Sequence, residues 1–203
     1  MGKENKFSQM AEAKNVQLTM KSLEKNWIHP YFVSSKKEAL EKIIDLIPHH
    51  DEVMNMTSVT LSEIWLDEIL NTKTDYVSVR NLIWKTDGKI MKKRLWTAHD
   101  WAIWSVHAVT EKWQLIIASA TWSQLPAYAY WATNVIWVVW TQKIVKDLDE
   151  WFERIRKYVF PLENERALQA YWVWSWINKL LIVNKEVVPW RIHLIFVNEK
   201  LGF

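Results

Sequence analysis

Three glycines and sixteen tryptophans in 203 residues constrain this chain more than any motif it contains. Sharp turns, left-handed backbone and close approaches of backbone to a ligand normally fall to glycine, because a Cβ in left-handed backbone costs about 1–2 kcal/mol. A domain of this length carries roughly 7% glycine, about 14 residues. A chain with three must build its turns from other residues or hold glycine's positions under another letter. Where the tryptophans fall therefore matters.

Hydrophobic period supplies the map. Residues 5–26 are good helix formers, with Met10, Ala13, Val16, Met20 and Leu23 at three- and four-residue steps, an amphipathic helix. Pro30 starts a short extended run, Tyr31 to Val33, and Ser34 or Ser35 caps the helix KKEALEKIIDLI that Pro48 closes. A strand over 51–55 follows, and Thr60-Leu61-Ser62-Glu63 has the spacing of a capping box for a helix to Leu70. Tyr76 to Val79 is β-rich. Residues 103–109 and 114–119 read as a hairpin across Thr110 to Trp113. The apolar run 135–139 is a buried strand, and Asp147 opens a helix through Tyr158 with Leu148, Phe152, Ile155 and Val159 on one face. Two strands, 180–183 and 192–197, finish the chain. Strands alternating with helices, then a hairpin, predict an α/β domain with a mixed β-sheet flanked by helices. An N-terminal helical extension, 1–29, precedes a single domain, 30–203.

On that map the tryptophans sit at turns. Trp113 occupies a tight hairpin, and Trp190 follows Pro189 where a type II turn wants glycine. Trp122 and Trp140 lie just past strands, and Trp172, Trp174 and Trp176 alternate through one loop, YWVWSWINK. The expectation is that most stand in for glycine, through a gene that uses UGA for glycine and was translated with UGA read as tryptophan. The alternative is a genuinely tryptophan-rich chain whose rings form a core or an aromatic binding surface. Trp137, inside VIWVV, is expected to be a true tryptophan.

Other classes are bounded by composition. The chain has no cysteine, which excludes disulfides, thiolate zinc sites, thiolate-held iron–sulfur clusters and a cysteine nucleophile within it. A net charge of +3, from 26 basic and 23 acidic side chains, is too balanced to point to nucleic acid. The longest apolar runs fall far short of the ~18 residues of a membrane span, and the polar N-terminus lacks a signal peptide's apolar stretch. Cytoplasmic residence is the resulting expectation. The six histidines show no metal-binding spacing, so no metal site is expected.

Several stretches carry a family resemblance: FVSSKKEALEKIIDLIP, SVTLSEIWL, SVHAVTEKWQLIIASATWSQLPAYAYWATNVIWVVWTQKIVKDLDEWFERI, PLENERA and VVPWRIHLIFVNEKLGF. Together, over about residues 30–203, they resemble the LUD domain family, the lactate-utilisation protein C group. Departures from the family pattern are almost all tryptophan at glycine positions: Trp104, Trp113, Trp122, Trp131, Trp140, Trp172, Trp174 and Trp190, with Trp27, Trp65, Trp151 and Trp176 joining them. Trp84, Trp96 and Trp101 are unassigned. The resemblance implies a NagB/RpiA/CoA-transferase-like fold and a part in oxidising L-lactate to pyruvate. It implies partners, cluster-bearing lactate-utilisation subunits, with iron–sulfur clusters in those subunits and no cofactor in this chain.

Open α/β sheets bind ligands beyond the carboxyl ends of their strands, so polar residues there are the candidates. Thr57, Ser58 and Thr60 follow the strand at 51–55, where hydroxyls and amides can hold a carboxylate or phosphate or simply cap a helix. Thr121, Trp122, Ser123 and Gln124 follow the strand at 114–119; with glycine at 122 this turn is the best anion cradle in the chain. Lys143, Asn178 and Lys179 are further candidates for an anionic ligand. His107 and Glu111 bracket a strand end, a pair suited to acid–base work on a hydroxy acid.

Three function classes follow. One is a lactate-utilisation component that binds a small anionic hydroxy or oxo acid or phosphate-bearing ligand, or docks cluster-bearing subunits. A second is a CoA-transferase or sugar-phosphate-isomerase-like enzyme with Glu111 or Glu63 as nucleophile or base. The third takes the tryptophans literally, as an aromatic-rich binding module.

Overall fold

The strand expected at 135–139 is the centre of the molecule. The computed structural model describes residues 5–72, 75–121, 123–199 and 202–203. In chain order its strands are β1 (Ile28–Val33), β2 (Glu52–Asn55), β3 (Val77–Ser78), β4 (Trp101–Trp104), β5 (Ala108–Thr110), β6 (Leu115–Ser119), β7 (Asn134–Trp140), β8 (Ile144–Val145), β9 (Lys179–Val183) and β10 (Ile192–Val197). Six of them form one wholly parallel sheet in the order β1-β10-β7-β4-β2-β3. The other four form a second sheet, β8-β5-β6-β9, which carries the antiparallel pairs and makes the architecture mixed.

Along β7 the period of two divides the core. Val135, Trp137 and Val139 face one cluster with Leu23, Met54, Leu115, Ile117 and Phe196; Ile136, Val138 and Trp140 face the other with Ile43, Leu61, Ile103 and Val197. A strand buried on both faces must be apolar throughout, which is why this run shows no alternation in sequence. Each fully buried aliphatic side chain stabilises by about 1.5–3 kcal/mol.

The helices are α1 (Ala13–Glu24), α2 (Lys36–Leu46), α3 (Val59–Glu63), α4 (Leu66–Thr72), α5 (Val79–Lys85), α6 (Lys89–Leu95), α7 (Leu148–Arg154) and α8 (Phe160–Tyr171). Ser35 caps α2 as expected, its hydroxyl accepting from Glu38 N–H at 3.3 Å. The helix of the N-terminal extension, α1, buries Val16 and Leu23 in the same cluster as Ile28.

Four expectations need correction. Residues 103–109 are not one strand: β4 ends at Trp104 in the parallel sheet and β5 starts at Ala108 in the other, so the chain changes sheets through Ser105 to His107. The capping box at Thr60 does not form, because the helix starts at Val59 and Thr60 Oγ1 accepts instead from Trp140 Nε1 at 3.0 Å. That helix does not run unbroken to Leu70 either; Trp65, at φ 56°, divides α3 from α4. The helix from Asp147 does not end at Tyr158, since a π-turn over Ile155–Val159 leads it into α8. Its inward face is Trp151, Arg154, Ile155 and Val159, while Phe152 is exposed, so a charged side chain holds a core position.

The turn reading holds where it is sharpest. Among the described residues six non-glycine residues adopt positive φ, and five are tryptophans: Trp27, Trp65, Trp113, Trp172 and Trp190. Trp113 (φ 93°) makes the β5–β6 hairpin turn, and Trp172 (φ 59°) is the left-handed cap of α8. Trp137 is fully buried as expected, but so are Trp140, which the turn reading gives to glycine, and Trp151, which the family pattern gives to glycine.

Candidate functional site

Parallel strands end on one side of a sheet, and here the carboxyl ends of β2, β4 and β7 deliver Thr57, Ser105 and Lys143 to one cavity of about 440 Å³. Ala118 to Thr121 and Gln124 form its wall from the second sheet, while Glu163 and Arg166 of α8, residues 173–177 and Phe203 close it. Most of the wall's area is apolar, with hydroxyls and charged side chains set among it, as in small-ligand sites.

Lys143 is its central polar residue. It sits in a 3₁₀ turn immediately after β7, 5% exposed, and its Nζ lies 3.1 Å from Ser105 Oγ. Burial and, next, the Arg154 guanidinium pull its pKa down to about 7, against the upward pull of the Glu63 carboxylate. Arg154, 1% exposed, donates through Nη1 to the His107 carbonyl at 2.8 Å, while its Nε and Nη2 find no acceptor among the described residues. Desolvation pulls even this guanidinium down to about 10. Neither Lys143 nor Arg154 has an ion-pair partner within 4.0 Å among the described residues. Glu63 has its own carboxyl raised, chiefly by burial and against the Gly202 amide and Lys143, and its Oε2 is unpartnered.

Of the residues singled out in sequence, Thr57, Ser58, Thr60, His107, Thr121, Gln124 and Lys143 line this cavity. Ser123 joins Gln124 on a smaller neighbouring hollow. Asn178 Nδ2 donates to Ala120 O and Lys179 Nζ to Thr121 O, both at 3.1 Å, so these two hold the wall of the cavity rather than line it. Glu111 is in the hairpin turn and does not line the cavity; Trp122 lies outside the described residues. His107 Nδ1 accepts from Ala118 N–H at 3.1 Å. Burial, Lys143 and Arg154 bring its pKa down to about 3, so at neutral pH the ring is an uncharged pin between β5 and β6.

Sequence reasoning missed Ser105 and Arg154. Ser105 lay inside a run read as continuous strand. Arg154 sits among charged residues of an amphipathic helix, and nothing in DEWFERIRK marks it as the buried one.

The chain also has relatives. The LUD domain model matches residues 16–197, which takes in most of α1. The fold is similar to a crystal structure of a DUF162 family protein from Deinococcus radiodurans, with a TM-score of 0.61 at 12% identity over 94% of this chain and 100% of that one. No curated protein sequence matches the chain. No helix among the described residues is long and apolar enough to cross a membrane. With the family model spanning nearly the whole sheet and both flanks of the cavity, the chain belongs to the LUD domain family.

Proposed function

We propose that this chain is a cluster-free component of the oxidation of L-lactate to pyruvate, and that its cavity binds a small anionic 2-hydroxy or 2-oxo acid. One observation carries the reading: Lys143 and Arg154 are both buried, the Arg154 charge opposes protonation of Lys143, and neither is ion-paired among the described residues. A buried cation without a partner costs several kcal/mol, and unmade donors on a guanidinium cost more than those on a neutral group. A carboxylate entering the cavity meets Lys143 on its wall and offsets that cost directly, while Arg154, which does not itself line the cavity, adds its field from beside Lys143. Membership of a family associated with lactate utilisation supports the acid as lactate or pyruvate. Electrons leaving the substrate then pass to cluster-bearing partner subunits, and the protein works in the cytoplasm.

A thermal-shift series with L-lactate, pyruvate, a sugar phosphate and coenzyme A tests this. Binding to the native state alone stabilises by RT ln(1 + [L]/Kd), about 2.7 kcal/mol at a hundredfold excess over Kd. The expected result is a rise in Tm with lactate or pyruvate. A rise with only coenzyme A or the sugar phosphate supports the transferase or isomerase alternative and overturns this reading.

We further propose that most of the tryptophans are glycine in the native polypeptide. Five at positive φ support this, since glycine takes left-handed backbone without the strain that a Cβ adds. Intact mass of the protein from its native host decides it: a mass below that of the sixteen-tryptophan chain is expected, and a mass equal to it ends the idea.

A further inference from the structure

The Lys143–Ser105 contact has a polarity. Ser105 Oγ receives Lys143 Nζ at 3.1 Å and leans toward the Val106 carbonyl at 3.4 Å. The serine hydrogen is therefore directed at a backbone carbonyl, and the serine is not poised as a nucleophile with the lysine as its base. The amine keeps its own lone pair, on a cavity-lining residue with no carboxylate bound to it.

We propose that Lys143 is an amine nucleophile that forms a Schiff base with the carbonyl carbon of a 2-oxo acid held in the cavity. The inference rests on the anionic-acid reading above and deepens it by naming the oxo form and the bond. Amines that do this are desolvated or set beside a second cation, and Lys143 is both, buried and under the field of Arg154. The nitrogen lone pair adds to the carbonyl carbon, and the carbonyl π pair moves to oxygen. That oxygen takes up the proton that the nitrogen gives up. Loss of water then leaves the C=N bond, so that amine plus oxo acid gives imine plus water with no change of oxidation state. A 2-hydroxy acid has no carbonyl and binds without bonding, so the lysine distinguishes the two members of a hydroxy/oxo acid pair by chemistry rather than by shape.

Borohydride reduction with peptide mapping tests it. Wild-type protein incubated with pyruvate and then borohydride is expected to carry a stable secondary amine on the Lys143 peptide, and none with L-lactate. Trapping is expected to rise as pH passes upward through about 7, where Lys143 loses its proton through burial and the Arg154 charge on α7, against Glu63 on α3; the neighbouring His107 is uncharged there. Lys143→Arg has no amine lone pair to give and is expected to lose the adduct; the wild-type peptide map stands even if that variant folds poorly. A pyruvate Tm shift without any adduct, or an adduct confined to other lysines, overturns the Schiff base and leaves acid binding intact. Absence of both the shift and the adduct overturns the two together.

Discussion

Lys143 Nζ and Ser105 Oγ, 3.1 Å apart, join the carboxyl ends of two adjacent parallel strands, β7 and β4, inside the cavity. Both side chains are about nine-tenths or more buried, so the contact is made where water cannot replace it. Ser105→Ala removes the acceptor and strands the amine. Leaving a buried donor unmet costs about 1–3 kcal/mol. Urea unfolding is expected to show a stability lower by that amount, through a lower midpoint at an unchanged m-value.

Arg191 and Glu186 form the buried ion pair of the fold. Their closest approach is 2.8 Å, and the guanidinium also donates to Ala132 O at 2.9 Å and Tyr128 O at 2.6 Å, tying the π-turn after β6 to the start of β10. Glu186→Ala leaves the guanidinium charged and unpaired, which costs about 3–5 kcal/mol. A Tm drop well beyond that of Glu163→Ala, whose pair with Arg166 is partly exposed, is the expected comparison.

The tryptophans separate into two classes by backbone. Trp172, 88% exposed at φ 59°, packs little and strains the cap of α8. Trp172→Gly is expected to raise stability by about 1 kcal/mol. Trp137→Gly empties the middle of β7 and is expected to cost about 3–5 kcal/mol or more. Denaturant midpoints of the two variants check the opposite signs.

Acid unfolding is expected to begin early. Burial holds His107 at about 3, and His99 and His193 at about 4, all below the ordinary 6.5. The unfolded chain therefore binds more protons than the native one between those values and 6.5. Stability falls as pH drops through that window and levels off below it. Tm measured from pH 7 down to pH 4 is expected to fall, and His107→Gln, which keeps an acceptor for the Ala118 amide, is expected to flatten part of the slope.

Much of this was readable in the chain because period and position reinforced each other. Residues 135–139 read as a doubly buried strand, and Ser34 or Ser35 as the cap of the helix that follows, the structure choosing Ser35. Lys143 was legible because it follows that strand, where a parallel sheet presents its ligands. The sheet change at Ser105 was not, since Ile103 to Val109 is apolar and β-branched on both sides of the break and carries no turn residue. Arg154 was hidden by its neighbours, as burial of a cation is decided by what packs over it, not by its own helix. The left-handed turns were legible at Trp113, Trp172 and Trp190. The places of Trp140 and Trp151 were not, since there the indoles fill core volume and Trp140 Nε1 donates to Thr60.

Isothermal titration of pyruvate and of L-lactate into the wild-type protein and into Arg154→Leu tests the central claim, that the cavity takes a small organic anion. The account predicts saturable 1:1 binding to wild type and a loss of about tenfold or more in affinity for the variant, equal to about 1.4 kcal/mol or more. No binding of either acid to a folded wild-type protein, or equal affinity in the two proteins, contradicts it.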